Sequence, residues 1–144
     1  MRQEQASPRR AAREALALYL AVAAGAAIGG TARAALSLAA LGLAGPGFPW
    51  GTLLANVGGS FLIGLFAALT GPGGRLAASP RTREFVMTGF CGGFTTFSMF
   101  SLETVSLAAA GAYGTAVLNV AVSLAAWLAA VWAGHAVAVS LKRA

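Results

Sequence analysis

Charged residues divide the chain into long apolar stretches. After the basic N-terminus four runs lack any charged residue, and they cover 15–32, 34–74, 85–102 and 104–141. A helix needs about 20 apolar residues to cross the hydrocarbon core of a bilayer. The second run contains the Gly- and Pro-rich segment 42–49, which favours a loop. The pattern therefore predicts four membrane-spanning helices, at about 15–40, 50–70, 84–109 and 115–139.

The composition is typical of a protein that is solvated by lipid. Hydrophobic residues make up 58% of the 144 residues and charged residues 10%, with a mean hydropathy of +0.74. A soluble domain carries about 25% charged residues, and so short a chain has too little interior to hide this apolar surface. Intrinsic disorder is excluded because the chain has abundant apolar side chains to bury. We expect an all-α integral membrane protein with one membrane domain over 1–144, in contact with the lipid bilayer.

Few residues are available for enzyme chemistry, and we expect no enzyme. The chain has no Asp, four Glu, one Cys and one His. Paired-carboxylate sites and calcium loops need more acids. Disulfide frameworks and zinc clusters need more cysteines and histidines. Cys91 and His135 are therefore expected to pack rather than react.

The net charge of +6 is interpreted as an orientation signal. No basic helix or interleaved aromatic platform accompanies it, so we expect no nucleic-acid partner. With four spans, both termini and the 71–83 loop lie on one side of the membrane. That side holds every basic residue except Arg33, namely Arg2, Arg9, Arg10, Arg13, Arg75, Arg81, Arg83, Lys142 and Arg143. The positive-inside rule then predicts cytoplasmic termini.

The first apolar run also has features of a secretory signal. Basic residues precede it and small residues follow near Ala24, and cleavage there would leave three spans. The run continues past these small residues, however. It also carries Gly25 and Gly29 at the four-residue spacing that lets membrane helices approach closely. These features favour a retained first span.

Polar residues inside the second and third spans are the candidates for function. An unpaired amide at Asn56 would be costly in lipid, so Asn56 either bonds to another helix or lines a polar path. In the third span Gly92-Gly93 and Thr95-Thr96 continue a helix poorly. Carbonyl oxygens freed there must find protein, water or an ion as a partner. We therefore expect this span to be broken near mid-membrane.

Beyond the expected break, aromatic and hydroxyl side chains recur at helical spacing. Phe97 and Phe100 share one face, and so do Ser98 and Ser101. The two rings are either packing bulk or, because ring edges are electropositive, the wall of an anion path. Counting about 20 residues from Phe85 places Glu103 near the opposite membrane interface. It is either an anchor at that interface or a functional group within the membrane.

Three groups of residues together resemble a known family. They are Gly25-x-x-x-Gly29-x-x-x-Arg33, Pro49-Trp50-Gly51-Thr52 with Asn56 and Gly59-Ser60-Phe61, and the run from Gly89 to Ser98, GFCGGFTTFS. The chain resembles the Fluc (CrcB) family of bacterial fluoride channels. The resemblance implies passive flow of fluoride out of the cytoplasm through an antiparallel dimer of four-helix subunits in the bacterial inner membrane.

The resemblance also implies roles for individual residues. Phe97 and Phe100 would present ring edges to fluoride, Asn56 would donate a hydrogen bond, and Ser98 and Ser101 would offer hydroxyls. Arg33 would lie at a pore or dimer-interface end and raise the local anion concentration. A structural sodium ion would be held at the dimer interface by the carbonyls of Gly92 and Thr95.

Three positions depart from the family pattern. Met99 stands where the family usually has Thr, which removes a hydroxyl from the pore helix. The fourth span commonly carries Tyr-x-x-x-Ser, and here it carries Asn119-x-x-x-Ser123, so that Asn119 replaces the Tyr; Trp127 replaces a further Ser one turn on. These departures leave the polar track of the fourth span, and one of the two implied pores, in question.

The uneven distribution of basic residues bears on the dimer partner, and two other classes of membrane protein are the alternatives to a fluoride channel. A subunit that inserts both ways should have balanced charges, so this chain is expected to pair with a second homologous subunit of opposite orientation. A small multidrug-resistance exporter needs an acid within its first span, but Glu14 precedes that span. A non-transporting membrane scaffold leaves Asn56 and the broken third span unexplained.

Overall fold

Four long apolar helical segments make up the part of the chain that the structure describes, residues 7–143. The structure is a computed structural model. Its helices, in chain order, are α1 (Pro8–Ala44), α2 (Trp50–Thr70), α3 (Pro80–Arg83), a π-helix (Glu84–Cys91), α4 (Gly92–Phe94), α5 (Phe97–Ala109) and α6 (Tyr113–Arg143). Helices α3 to α5 together form the third segment long enough to cross a membrane, Pro80–Ala109. The predicted all-helical membrane fold with four spans is confirmed.

Three helix ends differ from the limits that the sequence predicted. Helix α1 starts at Pro8, because proline suits the first turn, where its missing N–H would have no partner. It continues through Gly42, which was predicted to be loop, and stops at Gly45, whose φ of 72° few other residues adopt. The third span starts at Pro80 within the predicted 71–83 loop, where the Ser79 Oγ accepts the Thr82 N–H at 3.1 Å.

The third span is not one continuous α-helix. After α3 the chain winds as a π-helix over Glu84–Cys91, a form that is rare and concentrated at functional sites. The chain is then extended at Thr95 (φ −84°, ψ 158°) and Thr96 (φ −153°, ψ 122°) before α5 starts at Phe97. The interruption thus falls on the two threonines, one residue after the paired glycines, which still belong to α4.

Close helix packing through glycines fixes the positions of the spans. A Cβ added at Gly29 would overlap the Phe90 carbonyl and approach the Phe94 nitrogen to 2.9 Å, so α1 lies directly on the third span. A Cβ at Gly134 would likewise overlap the Phe61 carbonyl, which brings α6 onto α2. Without water exclusion as a driving force, such backbone contact is a main source of helix association in lipid.

Two arginines cap the C-termini of α2 and α6, on the side of the bundle where the described part of the chain begins and ends. Arg83 donates to the Thr70 carbonyl at 2.5 Å and to the Thr70 hydroxyl at 3.0 Å, at the C-terminus of α2. Arg75 donates to the Leu141 carbonyl near the end of α6. Positive charge is favourable at a helix C-terminus, where the last carbonyls lack amide partners. The basic 71–83 segment is thereby tied to the ends of two spans.

Candidate functional site

Asn56 binds the backbone of the interrupted third span at two points. Its Oδ1 accepts the Thr96 N–H at 2.6 Å, and its Nδ2 donates to the Thr96 carbonyl at 2.9 Å. The side chain is 4% exposed. Of the two roles left open by the sequence, the structure shows the hydrogen bond between spans. One N–H of the Asn56 amide is left over after this pairing.

This pairing changes which backbone carbonyls of the third span have amide partners. In a continuous α-helix the Thr96 N–H would bond to the Gly92 carbonyl, four residues earlier. Here it bonds to Asn56 instead. The Met99 N–H, which would bond to the Thr95 carbonyl, goes to the Thr96 Oγ1 at 3.2 Å. Side chains have therefore taken the amides that would otherwise cover the carbonyls of Gly92 and Thr95.

Arg33 lies beside the same interruption. Its Nε donates to the Gly93 carbonyl at 3.3 Å, between α1 and α4. In a continuous helix that carbonyl would accept the Phe97 N–H. The close contact of α1 with the third span, made through Gly25 and Gly29, is what brings the guanidinium to this point.

The two predicted pathway phenylalanines contact each other but differ in exposure. Their ring centroids are 5.4 Å apart, with the planes at 50°. Phe97 is 68% exposed and Phe100 only 6%. Phe100 also meets Trp127 edge to face, at 4.9 Å and 74°. Of these two rings, therefore, that of Phe97 is the one exposed on the surface of the subunit.

The two predicted pathway serines have different partners. The Ser98 hydroxyl lies 3.2 Å from the Thr96 hydroxyl on the exposed side of the α5 N-terminus. Ser101 donates to the Phe97 carbonyl at 2.9 Å, within its own helix. The Ser101 proton is thus already used, whereas Ser98 and Thr96 can share theirs with a third group.

A cavity of about 300 Å³ brings together residues from both predicted sets. Its lining is Asn56, Gly59, Ser60, Ile63, Met87, Cys91, Gly92, Thr95, Thr96, Phe97 and Trp127. The anion-pathway candidates Asn56 and Phe97 and the cation-site candidates Gly92 and Thr95 all line it. The other four pathway candidates do not line it: Arg33, Ser98, Phe100 and Ser101. Cys91 is buried in its wall, whereas His135 is exposed near the end of α6.

Sequence reasoning did not find a second polar contact between spans, Thr52 to Glu103. The Thr52 hydroxyl donates to Glu103 Oε1 at 2.8 Å. The other carboxylate oxygen is buried without a partner among residues 7–143. A cavity of about 440 Å³ adjoins the pair, with Ser37 and Ser106 also in its wall. An acid and a hydroxyl in separate spans were visible in the sequence, but their pairing depends on how the spans pack.

The fourth span carries a buried polar column that faces α5. Asn119, 1% exposed, donates to the Thr104 hydroxyl at 2.8 Å and accepts from Ser123 at 3.3 Å. One turn further along α6, the Trp127 N–H is buried and has no partner in the described part of the chain. Asn119 and Trp127, the two positions of this span that depart from the family pattern, thus lie along one line with Ser123.

The fold and this site together define a class: a small four-span membrane protein with an interrupted helix that groups polar and aromatic residues around a cavity. No cluster of three or more His, Cys, Asp or Glu that could hold a metal ion is found in the described range. A family model described as "CrcB-like protein, Camphor Resistance (CrcB)" matches residues 20–135. The chain belongs to this family, which confirms the resemblance.

Curated relatives support the same assignment. A protein of Rhodopseudomonas palustris named "Fluoride-specific ion channel FluC 1" is 56% identical over 131 residues, covering 91% of this chain and 93% of the relative. "Fluoride-specific ion channel FluC" of Opitutus terrae is 52% identical over 127 residues, covering 88% and 96%. The protein of that name from Rhodospirillum rubrum is 51% identical over 124 residues, covering 86% and 96%.

Proposed function

We propose that the chain forms a channel that lets fluoride flow passively out of the bacterial cytoplasm. The observation that carries this proposal is the agreement of family and site. The chain belongs to the CrcB family, and relatives named as fluoride channels match it over most of its length. Asn56 and Phe97, the residues expected to face an anion, line one cavity at the interruption. A channel is not an enzyme, and no catalytic residue is assigned.

Fluoride passage needs donors that replace water without holding the ion tightly. Fluoride is small and strongly hydrated, so several weak donors must act together, and tight binding would stop conduction. Asn56 has one N–H left after pairing with Thr96, and Phe97 offers an exposed ring edge. The Ser98 hydroxyl lies next to them, at the start of α5. The α5 N-terminus adds the positive end of a helix dipole.

Arg33, Phe100 and Ser101 have supporting roles in this proposal. Arg33 contributes the only positive charge near the interruption among the described residues, and it favours anions near the cavity. Phe100 is buried and supports the Phe97 ring from behind. Ser101 donates to the Phe97 carbonyl, so its hydroxyl proton is turned toward the first turn of α5 and its oxygen can still accept a hydrogen bond.

The carbonyls of Gly92 and Thr95 are proposed to hold a structural sodium ion. Carbonyl oxygens suit a hard cation, and unwound membrane helices commonly supply them. Both carbonyls have lost the amides that a continuous helix would give them. When bound, the ion would supply positive charge that fixes the interruption.

The subunit is proposed to work in an antiparallel dimer in the inner membrane, with cytoplasmic termini. Gly92 is exposed, and no atom beyond its own helix and chain neighbours lies within 4 Å of a Cβ built there, which leaves open surface for a partner at this residue. The concentration of basic residues at one end favours a partner of opposite orientation encoded separately.

Reporter fusions at Ala144, made without that partner, should give a cytoplasmic signal only. Equal signals on both sides would contradict a single orientation.

Fluoride efflux from liposomes tests the function. The chain is reconstituted alone and together with a neighbouring homologue, without a proton gradient, and efflux is followed with a fluoride electrode. Phe97→Ile and Asn56→Asp should abolish the flux. Phe48→Ile, in the α1–α2 loop, is the matched control and should conduct like the original. No flux from the unmodified chain in either preparation would refute the proposal.

A further inference from the structure

We infer that Asn56 is a positioning residue for the cation site, in addition to any contact with an anion. Its two hydrogen bonds to Thr96 keep the third span interrupted and thereby keep the Gly92 carbonyl open to a cation. The inference rests on the sodium site proposed above. It does not depend on which anion the protein conducts.

The first step concerns what the interruption would do without Asn56. Thr96 is extended, and its N–H and carbonyl both point to Asn56, at 2.6 Å and 2.9 Å. A buried N–H and carbonyl in lipid must be satisfied within the protein. With Asn56 removed, the nearest remedy is for the Thr96 N–H to return to the Gly92 carbonyl as in an ordinary helix. That bond would occupy one proposed cation ligand.

The second step is that Thr96 completes the same arrangement on its other side. Its hydroxyl caps α5 by accepting the Met99 N–H at 3.2 Å, so that amide does not return to the Thr95 carbonyl. The Thr96 backbone is held by Asn56 while its side chain holds Met99. The side chains of Asn56 and Thr96 therefore each take one backbone N–H, and together they keep the carbonyls of Gly92 and Thr95, the proposed cation ligands, free of amide partners.

The third step is that a glycine on α2 allows Asn56 to reach the backbone of Thr96. Gly59 lies one turn after Asn56 on α2, and a Cβ there would overlap the Thr95 side chain. The glycine lets α2 lie against the interruption, where the Asn56 amide spans the gap to Thr96. Other polar side chains of the cavity wall, such as Ser60, have no hydrogen bond to the Thr96 backbone.

The experiment measures sodium rather than fluoride. The protein is purified both alone and co-expressed with the neighbouring homologue, and each preparation is desalted into sodium-free buffer. Its sodium content per chain is determined by atomic absorption, and its melting temperature is recorded with NaCl and with N-methylglucamine chloride. The unmodified protein should retain sodium or melt higher in NaCl. Asn56→Ala should bind sodium about 10–100-fold more weakly, as is typical when a residue supporting metal ligands is lost.

Asn119→Ala is the matched control for this measurement. It also removes a buried asparagine that bonds to a neighbouring span, but its partners are Thr104 and Ser123, away from the interruption. It should bind sodium like the unmodified protein. Equal sodium binding in Asn56→Ala and Asn119→Ala would overturn the inference, and so would an unmodified protein that neither retains nor responds to sodium.

A second pair of variants covers the case in which Asn56→Ala does not fold. Thr96→Val keeps the side-chain shape and removes the hydroxyl that holds the Met99 N–H, whereas Thr96→Ser keeps that hydroxyl. Sodium affinity should fall in Thr96→Val and persist in Thr96→Ser. Unchanged affinity in Thr96→Val would count against the arrangement. If sodium behaves as expected but the liposomes show no fluoride flux, only the proposed function fails.

Discussion

Replacing Thr52 by valine tests the contact between α2 and α5. The Thr52 hydroxyl is the donor to Glu103 Oε1, at 2.8 Å, and Oε2 has no partner among residues 7–143. Thr52→Val keeps the shape and leaves both carboxyl oxygens without a protein donor. An unsatisfied buried acceptor costs about 1–3 kcal/mol, and measured hydrogen bonds between membrane helices average about 0.6 kcal/mol. Because Glu103 is only half-buried, we expect the free energy of unfolding to fall by about 1 kcal/mol.

The assay is reversible unfolding in mixed micelles of mild detergent and SDS, followed by far-UV circular dichroism. Thr52→Ser retains a hydroxyl and is the control. A double-mutant cycle with Glu103→Ala isolates the contact, since Thr52→Val should cost under about 0.3 kcal/mol once the carboxylate is gone. An equal cost of Thr52→Val with and without Glu103 would refute the reasoning, because the hydroxyl would then be stabilising something else.

Three further substitutions are checked by the same unfolding assay. Gly29→Ala should destabilise by about 1–3 kcal/mol through overlap with Phe90, whereas Gly30→Ala, with its nearest atom at 3.9 Å, should not. Trp127→Phe should leave stability equal or higher, because the aromatic bulk stays and a buried unpartnered N–H is lost; a clear loss would mean that the N–H has a partner. Arg83→Gln should cost about 0.3–1 kcal/mol by uncapping α2, with the exposed Arg81→Gln neutral; equal effects would contradict the cap.

The membrane spans could be predicted from sequence because their physical cause is local. About 20 apolar residues without charge are enough to cross a bilayer, whatever surrounds them. Asn56 could be singled out for the same reason, since an amide in lipid needs a partner wherever the partner lies. The length of α1 could not be predicted as well, because Gly42 is tolerated in its last turn and the helix continues to Gly45.

The pairings within the site could not be predicted, because they depend on how separate spans pack. Thr52 and Glu103 are 51 residues apart, and Asn56 and Thr96 are 40 apart. Their contacts follow from glycine-mediated approach of whole helices, which no local pattern encodes. The extended conformation at Thr95 and Thr96 also depends on the packing of separate spans, since it is held by Asn56 from α2.

The interruption also explains how one chain with few charges could handle ions of both signs. Splitting a helix creates a new C-terminus, rich in free carbonyls, and a new N-terminus, rich in free amides. Here the first end carries Gly92 to Thr95 and the second begins at Phe97. Carbonyls favour a cation and the α5 N-terminus favours an anion, so the two proposed sites can lie at opposite ends of one backbone break. Asn56 binds the residue between them, and a change at Asn56 should therefore affect both ions.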